Sequence, residues 1–227
     1  MIDDHYSIPP IFVISLANSA RRKIISARLN SLGLAFEFID AVNGRDLTEE
    51  QLAQIDYDFY PQRFGGKHKL KLGEIGCAMS HIKAYQYLVD NHIKEAIILE
   101  DDAIVSHYFR RIVADALKKV PSRKQIIFFD HGKAKYWPIT RSLKEGYKLV
   151  RYRYPSKNSK RIIMIATGYY LTLDGAKLLL KYAYPLRMPA DFLTGAIQMT
   201  GIKAYGVEPP CIFISPGSEI DEIEKRG

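Results

Sequence analysis

The amino-acid sequence predicts an α/β fold, a mostly parallel central sheet with helices on both faces. Three observations carry this expectation. Continuous apolar runs at residues 11–15, 96–99 and 125–129 have the pattern of strands buried on both faces. Longer segments between them repeat their apolar residues every three or four positions, as amphipathic helices do. The two signals also alternate along the chain, which is how parallel strands are connected.

Ile11-Phe12-Val13-Ile14-Ser15 opens the fold as a strand. Asn18 or Ser19 then caps a helix through about Leu32, with Ile25, Leu29 and Leu32 on one face and Gly33 as its stop. Phe36-Glu37-Phe38-Ile39 reads as the second strand, closed by Asp40-Ala41-Val42-Asn43-Gly44. Residues 45–72 read as a long, mobile loop with a basic cluster at Lys67, His68, Lys69 and Lys71 and a short helix over 49–55. Helical spacing returns over 73–90, through Ile75, Ala78, Met79, Ile82, Tyr85 and Val89, and the strand ending at Leu99 follows.

Beyond it, 108–120 forms an amphipathic helix stopped by Pro121, and 125–129 a buried strand ending at Asp130-His131-Gly132. The polar, basic, tyrosine-rich stretch 133–160 is expected to cover a site or meet a partner. Residues 162–166 and 169–171 read as strands around a Thr167-Gly168 turn, Asp174 caps a helix to about Tyr182, and Pro189-Ala190-Asp191 opens another. A last apolar run, 204–207, leads into Pro209-Pro210.

With 227 residues, 47% of them hydrophobic and 26% charged, the chain is long enough for a substantial core and is read as one domain over 1–227, or two tightly joined halves. The net charge of +8 suits an anionic partner: a nucleotide, a phosphorylated glycan, an acidic membrane face or nucleic acid. Two cysteines, Cys77 and Cys211, form no disulfide framework, so a reducing, cytoplasmic compartment is expected. The start, with two early acids and Pro9-Pro10, lacks a signal peptide's pattern, and no run approaches the roughly 20 apolar residues of a membrane span.

The chemistry is concentrated where one strand ends. Ile97-Ile98-Leu99 runs straight into Glu100-Asp101-Asp102. Consecutive carboxylates suit a hard divalent cation such as Mg²⁺ or Mn²⁺, which takes oxygen ligands and shares them with phosphate oxygens. A solvated strand-to-helix turn is the plainer explanation. Position favours the cation, because ligands of open α/β sheets gather outside the carboxyl ends of the strands. Glu74, Cys77 and His81 share one helical stripe; three ligands without a fourth, and no paired CxxC, argue against zinc there. Asp130 also ends a buried strand and is open to a catalytic or a turn-forming role.

Taken in order, Arg21-Arg22, Asp40-Ala41-Val42-Asn43-Gly44, Leu72-Gly73-Glu74-Ile75-Gly76-Cys77-Ala78-Met79-Ser80-His81 and Ile98-Leu99-Glu100-Asp101-Asp102-Ala103 resemble glycosyltransferase family 25, the lipooligosaccharide galactosyltransferases with relatives in collagen glycosylation. The resemblance implies a GT-A-type, Rossmann-like α/β/α sandwich with Glu100, Asp101 and Asp102 in place of an aspartate-x-aspartate motif. It implies inverting transfer of galactose from a UDP-sugar donor to a lipooligosaccharide hydroxyl, at the cytoplasmic face of a bacterial inner membrane with peripheral contact to anionic lipid.

The resemblance also assigns roles. Mn²⁺ or Mg²⁺ would be held by Asp102 with Asp101 or Glu100, and Asp191, which resembles the family's later aspartate after a proline, would be the general base, with Asp130 second. Glu74, Ser80 and His81 would lie beside the donor. Asn43 and Gly44 would approach the nucleotide or form a turn, Arg21 and Arg22 would reach the diphosphate or lie solvated, and Thr167-Gly168-Tyr169 would wall the sugar site or make a hairpin. No histidine follows His131 to act as a late metal ligand. That the C-terminal end is trimmed is implied only by the family resemblance. Two rivals stay open: a nucleic-acid-binding module, disfavoured by dispersed basic residues and the lack of a recognised motif, and a catalytically silent sugar-nucleotide-binding scaffold.

Overall fold

The computed structural model describes residues 6–66, 68–132 and 134–214. The expectations placed on the N-terminal start, on Lys67 and on the C-terminal end lie outside them. The chain opens with β1 (Ile11–Ser15), α1 (Arg21–Ser31) and β2 (Glu37–Asp40). The N-cap of α1 is Ala20, not the expected Asn18 or Ser19, although Ser19 accepts from the backbone N–H of Arg21 at 3.1 Å, and the helix ends before Gly33, whose φ of 64° is left-handed, as expected.

The region expected as a loop is more ordered. It holds a 3-10 turn at Gly44–Asp46, then α2 (Glu49–Ala53), whose Thr48 and Gln51 form a capping box, and α3 (Phe59–Phe64). Three aromatic residues in six make α3 worth burying: Tyr60 and Phe64 pack edge-on against Phe192, with ring centroids 4.9 and 4.7 Å apart.

The long helix α4 (Leu72–Asp90) follows, then β3 (Glu95–Glu100), β4 (Ala103–Val105), α5 (Phe109–Lys119) and β5 (Ile126–Phe128). The basic, tyrosine-rich stretch contributes β6 (Arg141–Ser142) and β7 (Lys148–Arg151), which the sequence reading missed because Leu149 and Val150 are the strand's sole apolar pair. The remainder is β8 (Gly168–Thr172), α6 (Leu173–Leu180), α7 (Ala190–Gly195), α8 (Ile197–Thr200), β9 (Ala204–Glu208) and β10 (Ile212–Ile214).

Eight strands form one sheet in the order β2-β1-β3-β8-β5-β9-β7-β6. Six run the same way, while β8 lies antiparallel between β3 and β5, and β7 lies antiparallel to β9. The fold class is therefore α/β with a mostly parallel sheet. Alternate strand residues feed separate cores: Phe12, Ile14 and Ile98 pack with α4, α6 and α7, whereas Ile11, Val13, Ile97 and Leu99 pack with α1 and α5.

Two local expectations are corrected. Residues 162–166 do not form a strand. Met164 makes a bridge to Gly132, but the Ile163 N–H donates to the Gly195 carbonyl of α7 at 3.1 Å and Ile165 turns the chain at φ 81°. Gly168 accordingly begins β8 instead of forming a hairpin, and the cap of α6 is Thr172, whose hydroxyl accepts from the Gly175 N–H, with Asp174 in the first turn.

Candidate active site

β1, β2 and β3 end side by side, since Ser15 pairs with Asp40 and Ile14 with Glu100. Their parallel order makes the turns beyond them converge, and a cleft of about 280 Å³ opens there. Ser15, Arg21, Asn43, Gly44, the acidic triplet and residues of the first half of α4 line it together. Two glycines allow this approach: a Cβ on Gly44 would overlap the Leu72 carbonyl, and one on Gly76 would meet the Gly44 nitrogen at 2.6 Å. Ser80 locks the contact by accepting from the Val42 N–H at 2.8 Å and donating to the Gly76 carbonyl at 2.6 Å.

The triplet is held from β1 and α1. Ser15 donates to Asp101 Oδ2 at 2.6 Å, and Arg21 Nη1 lies 3.6 Å from Asp101 Oδ1 and 3.8 Å from Asp102 Oδ2. Asp102 Oδ1 is buried without a hydrogen-bond partner. Burial first, then the charge of Glu100, pushes the Asp102 carboxyl up to about 7, against the pull of Arg21. A buried carboxylate oxygen without a donor is costly, and a hard cation relieves it. Asp102 Oδ1 therefore offers a hard cation one oxygen, but among the described residues the ligand atoms that come together as a group are those of Cys77, His81 and Glu100, not the three carboxylates of the triplet.

Softer ligands stand nearby. The ligand atoms of Cys77, His81 and Glu100 lie within 4.8 Å of one another. Burial and the charge of Glu100 push the Cys77 thiol well up, so it serves as an S–H donor to Glu100 Oε1 at 3.7 Å. Glu74 is not part of this trio, because its carboxylate accepts from the Lys71 N–H at 2.9 Å and caps α4.

His81 is fixed by a hydrogen-bond chain whose direction can be counted. At its far end Thr194 Oγ1 donates to the Ala190 carbonyl at 2.8 Å, and a carbonyl can only accept. With that proton committed, the Tyr85 hydroxyl donates to Thr194 at 3.0 Å, and Tyr169 donates to Tyr85 at 3.1 Å. Nδ1–H of His81 must then donate to the Tyr169 oxygen at 2.7 Å, which turns Nε2 toward Glu100 Oε1 at 3.0 Å. His81, Tyr85, Tyr169 and Thr194 are all buried. Although burial raises the Glu100 carboxyl, the His81 hydrogen bond and charge outweigh it and hold Glu100 below its ordinary value.

The same chain ends on α7, which carries Asp191. Backbone N–H groups of Ile165 and Ala166 hold its carboxylate, while burial and the Glu100 charge push it up to about 6. The left-handed Ile165 is the strained residue that turns those amides toward it. Asp130, buried at the end of β5, is also raised to about 6, by burial and then by Asp191 and Glu100. Neither aspartate lines the cleft wall, yet the Glu100 charge acts on both and that of Asp191 on Asp130.

Residues 8–194 match the profile of glycosyltransferase family 25 (LPS biosynthesis protein), a span that takes in Arg21, the acidic triplet, the His81 chain and Asp191. The chain belongs to glycosyltransferase family 25. It is 35% identical over 117 residues to a glycosyltransferase 25 family member of Aedes aegypti, covering 50% of this chain and 19% of that protein. It is 26% identical over 216 residues to procollagen galactosyltransferase 1 of Danio rerio, covering 89% of this chain and 33% of that one. Inactive glycosyltransferase 25 family member 3 of Mus musculus is 29% identical over 134 residues, covering 53% of this chain and 22% of its own length. The chain thus spans about a fifth to a third of the length of these relatives.

Against this family 25 framework the structure sorts the expected residues. Asn43, Gly44, Ser80, His81, Glu100, Asp101 and Asp102 meet at one cleft. Arg22 does not: it pairs with Asp40, donates to the Ser15 carbonyl at 2.9 Å and stacks 4.5 Å over Phe38, so Arg21 is the arginine of the cleft. Tyr169 is a fully buried link in the His81 chain and walls no open site. Ser15 was missed, although its place as the last residue of an apolar strand was a signal; nothing local marked Tyr85 and Thr194.

Proposed function

We propose that this chain is a cation-assisted, inverting galactosyltransferase that moves galactose from UDP-galactose to a sugar hydroxyl of lipooligosaccharide. The observation that carries the reading is Asp102 Oδ1, a buried carboxylate oxygen without a partner in a triplet of acids facing Arg21. Galactose is supported by the name of the zebrafish relative, and the lipopolysaccharide acceptor by the description of the matching family profile. A cation held by Asp102 with Asp101 and Glu100 would supply charge neutralisation of the diphosphate leaving group.

The protein's own groups do the rest. Arg21 supplies a positive charge beside the diphosphate, and Asn43 and Gly44 offer backbone and amide contacts to the nucleotide. Asp191, ionised above about pH 6, accepts the proton of the acceptor hydroxyl as its oxygen attacks the anomeric carbon. The new C–O bond forms as the bond to the UDP phosphate breaks on the opposite face, inverting the centre. Asp130 is the second choice for base.

Catalytic silence is the competing reading, favoured by the relative named inactive. Incubation of the purified chain with UDP-galactose, Mn²⁺ and a panel of lipooligosaccharide and collagen-peptide acceptors separates them. Galactosylated lipooligosaccharide supports the proposal; transfer to the collagen peptide alone reassigns the acceptor, and UDP binding without turnover on any acceptor establishes the silent form.

A further inference from the structure

A second groove, of about 480 Å³, lies away from the acidic cleft. Arg123, in its wall, precedes the first residue of β5, whereas the cleft lies beyond the last residues of β1, β2 and β3, which run in the same direction as β5, so groove and cleft belong to opposite strand ends. Its apolar wall is chiefly Pro121, Trp137, Pro138, Ile139 and Leu149. Arg123, Arg141 and Arg151 supply its charge, and among the described residues no carboxylate or amide side chain lines it.

The rim of this groove is apolar and held outward. Ile139 is 85% exposed and Trp137 47%. The segment does not fray, because the Trp137 N–H donates to the Arg151 carbonyl at 3.0 Å and the Arg153 N–H donates to the Lys135 carbonyl at 2.9 Å. The Arg153 guanidinium stacks 4.9 Å over the Trp137 ring.

These features select among occupants. A saccharide wants amides and carboxylates for its hydroxyls, and the groove has none; a basic partner would be repelled by three arginines. An amphiphilic anion satisfies both the apolar walls and the charges. Tryptophan at the headgroup level, an aliphatic tip below it and long-stemmed arginines reaching phosphates are how peripheral proteins meet an anionic leaflet.

We infer that this face docks on a bilayer containing anionic phospholipid, with Trp137 and Ile139 entering the headgroup region and Arg123, Arg141 and Arg151 meeting lipid phosphates. Docked this way, the acidic cleft at the opposite strand ends stays open to solvent. This docking assigns a face to the peripheral anionic-lipid contact that the family resemblance implies, and its test is separable from that of the transferase reading, because groove and cleft share no lining residue.

Trp137 is the sole tryptophan of the chain, so its emission reports this face alone. The full chain is titrated with phosphatidylcholine vesicles, with vesicles also containing phosphatidylglycerol, with soluble glycerol phosphate and with polyglutamate. The expected result is co-sedimentation and a blue shift with the anionic vesicles only, weakened by salt. Ile139→Asp should lose the shift, and Arg123→Glu with Arg151→Glu should lose sedimentation by at least tenfold, with unchanged circular dichroism. Sedimentation without a shift, equal binding of glycerol phosphate, preference for polyglutamate, or no binding to any probe would each overturn it, the third pointing to an acidic protein partner.

Discussion

His81 Nε2 sits 3.0 Å from Glu100 Oε1, joining the middle of α4 to the last residue of β3. Since Nδ1–H is committed to Tyr169, the pair shares a single proton between Nε2 and the carboxylate. Glu100 is thereby aimed from behind, as ligands of metal sites commonly are.

Removing the Tyr169 hydroxyl should therefore be felt at the cleft. Tyr169→Phe is expected to keep the fold, to cost about 1–3 kcal/mol for the unpaired partners, and to weaken Mn²⁺ binding about 10- to 100-fold. Nitrogen NMR of His81 should show a protonated Nδ1 in the parent chain; an unprotonated Nδ1 would refute the direction of the hydrogen-bond chain.

Asp102→Asn replaces the oxygen that lacks a partner. Turnover should fall by roughly 10²-fold or more, and calorimetric UDP binding should lose its dependence on Mn²⁺, while the circular dichroism spectrum stays unchanged. Wild-type activity in the purified variant would rule out the triplet as the cation site.

Asp191→Asn is expected to lower kcat by about 10²- to 10⁴-fold with little change in UDP-galactose affinity. In the parent chain kcat/KM should rise through about pH 6, where the carboxyl loses its proton. If that limb survives in Asp191→Asn but vanishes in Asp130→Asn, Asp130 is the base.

The neighbouring arginines should separate. Arg21→Ala is expected to weaken UDP binding, since this side chain faces Asp101 and Asp102 in the cleft. Arg22→Ala should act on stability, by about 1 kcal/mol, because its partners are Asp40, the Ser15 carbonyl and Phe38. Equal effects of both on UDP affinity would contradict this division.

Thermal stability without metal should depend on pH through the raised carboxyls. Asp102, at about 7, and Asp130 and Asp191, at about 6, bind protons more readily folded than unfolded, where the ordinary value is 3.8. Each therefore favours the folded state increasingly as pH falls from about 7 toward 4, and loses that contribution as pH rises through its folded value. In EDTA, Tm should be higher at pH 5.5 than at pH 8 by a few degrees, about 2–4 °C per kcal/mol. Mn²⁺ should narrow the gap by raising Tm at pH 8; an unchanged gap would show that the cation does not meet these acids.

Several parts of this molecule were legible because their causes are local. Alternation of apolar runs and helical stripes gave β1, α1, α4, β3, α5 and β5, and the break from Leu99 into three acids marked the cleft at a strand end. Where the cause is a distant partner, the reading failed. α3 exists because Tyr60 and Phe64 find Phe192, more than 120 positions away in sequence. The apolar run 162–166 looked like a strand, yet its backbone bonds to Gly132 and Gly195.

The sequence by itself determined the α/β class, the family and the three carboxylates, since strand period, helix period and adjacent charges are properties of neighbouring residues. Tertiary structure alone decided that Arg21 and not Arg22 faces the triplet, because one helical step of about 100° separates the cleft from the Phe38 side of α1. It also decided that Tyr85 and Tyr169, 84 residues apart, bond to one another and fix His81. Hydrogen-bond direction depends on which donors are already committed, and that is known only once the whole chain of partners stands in place.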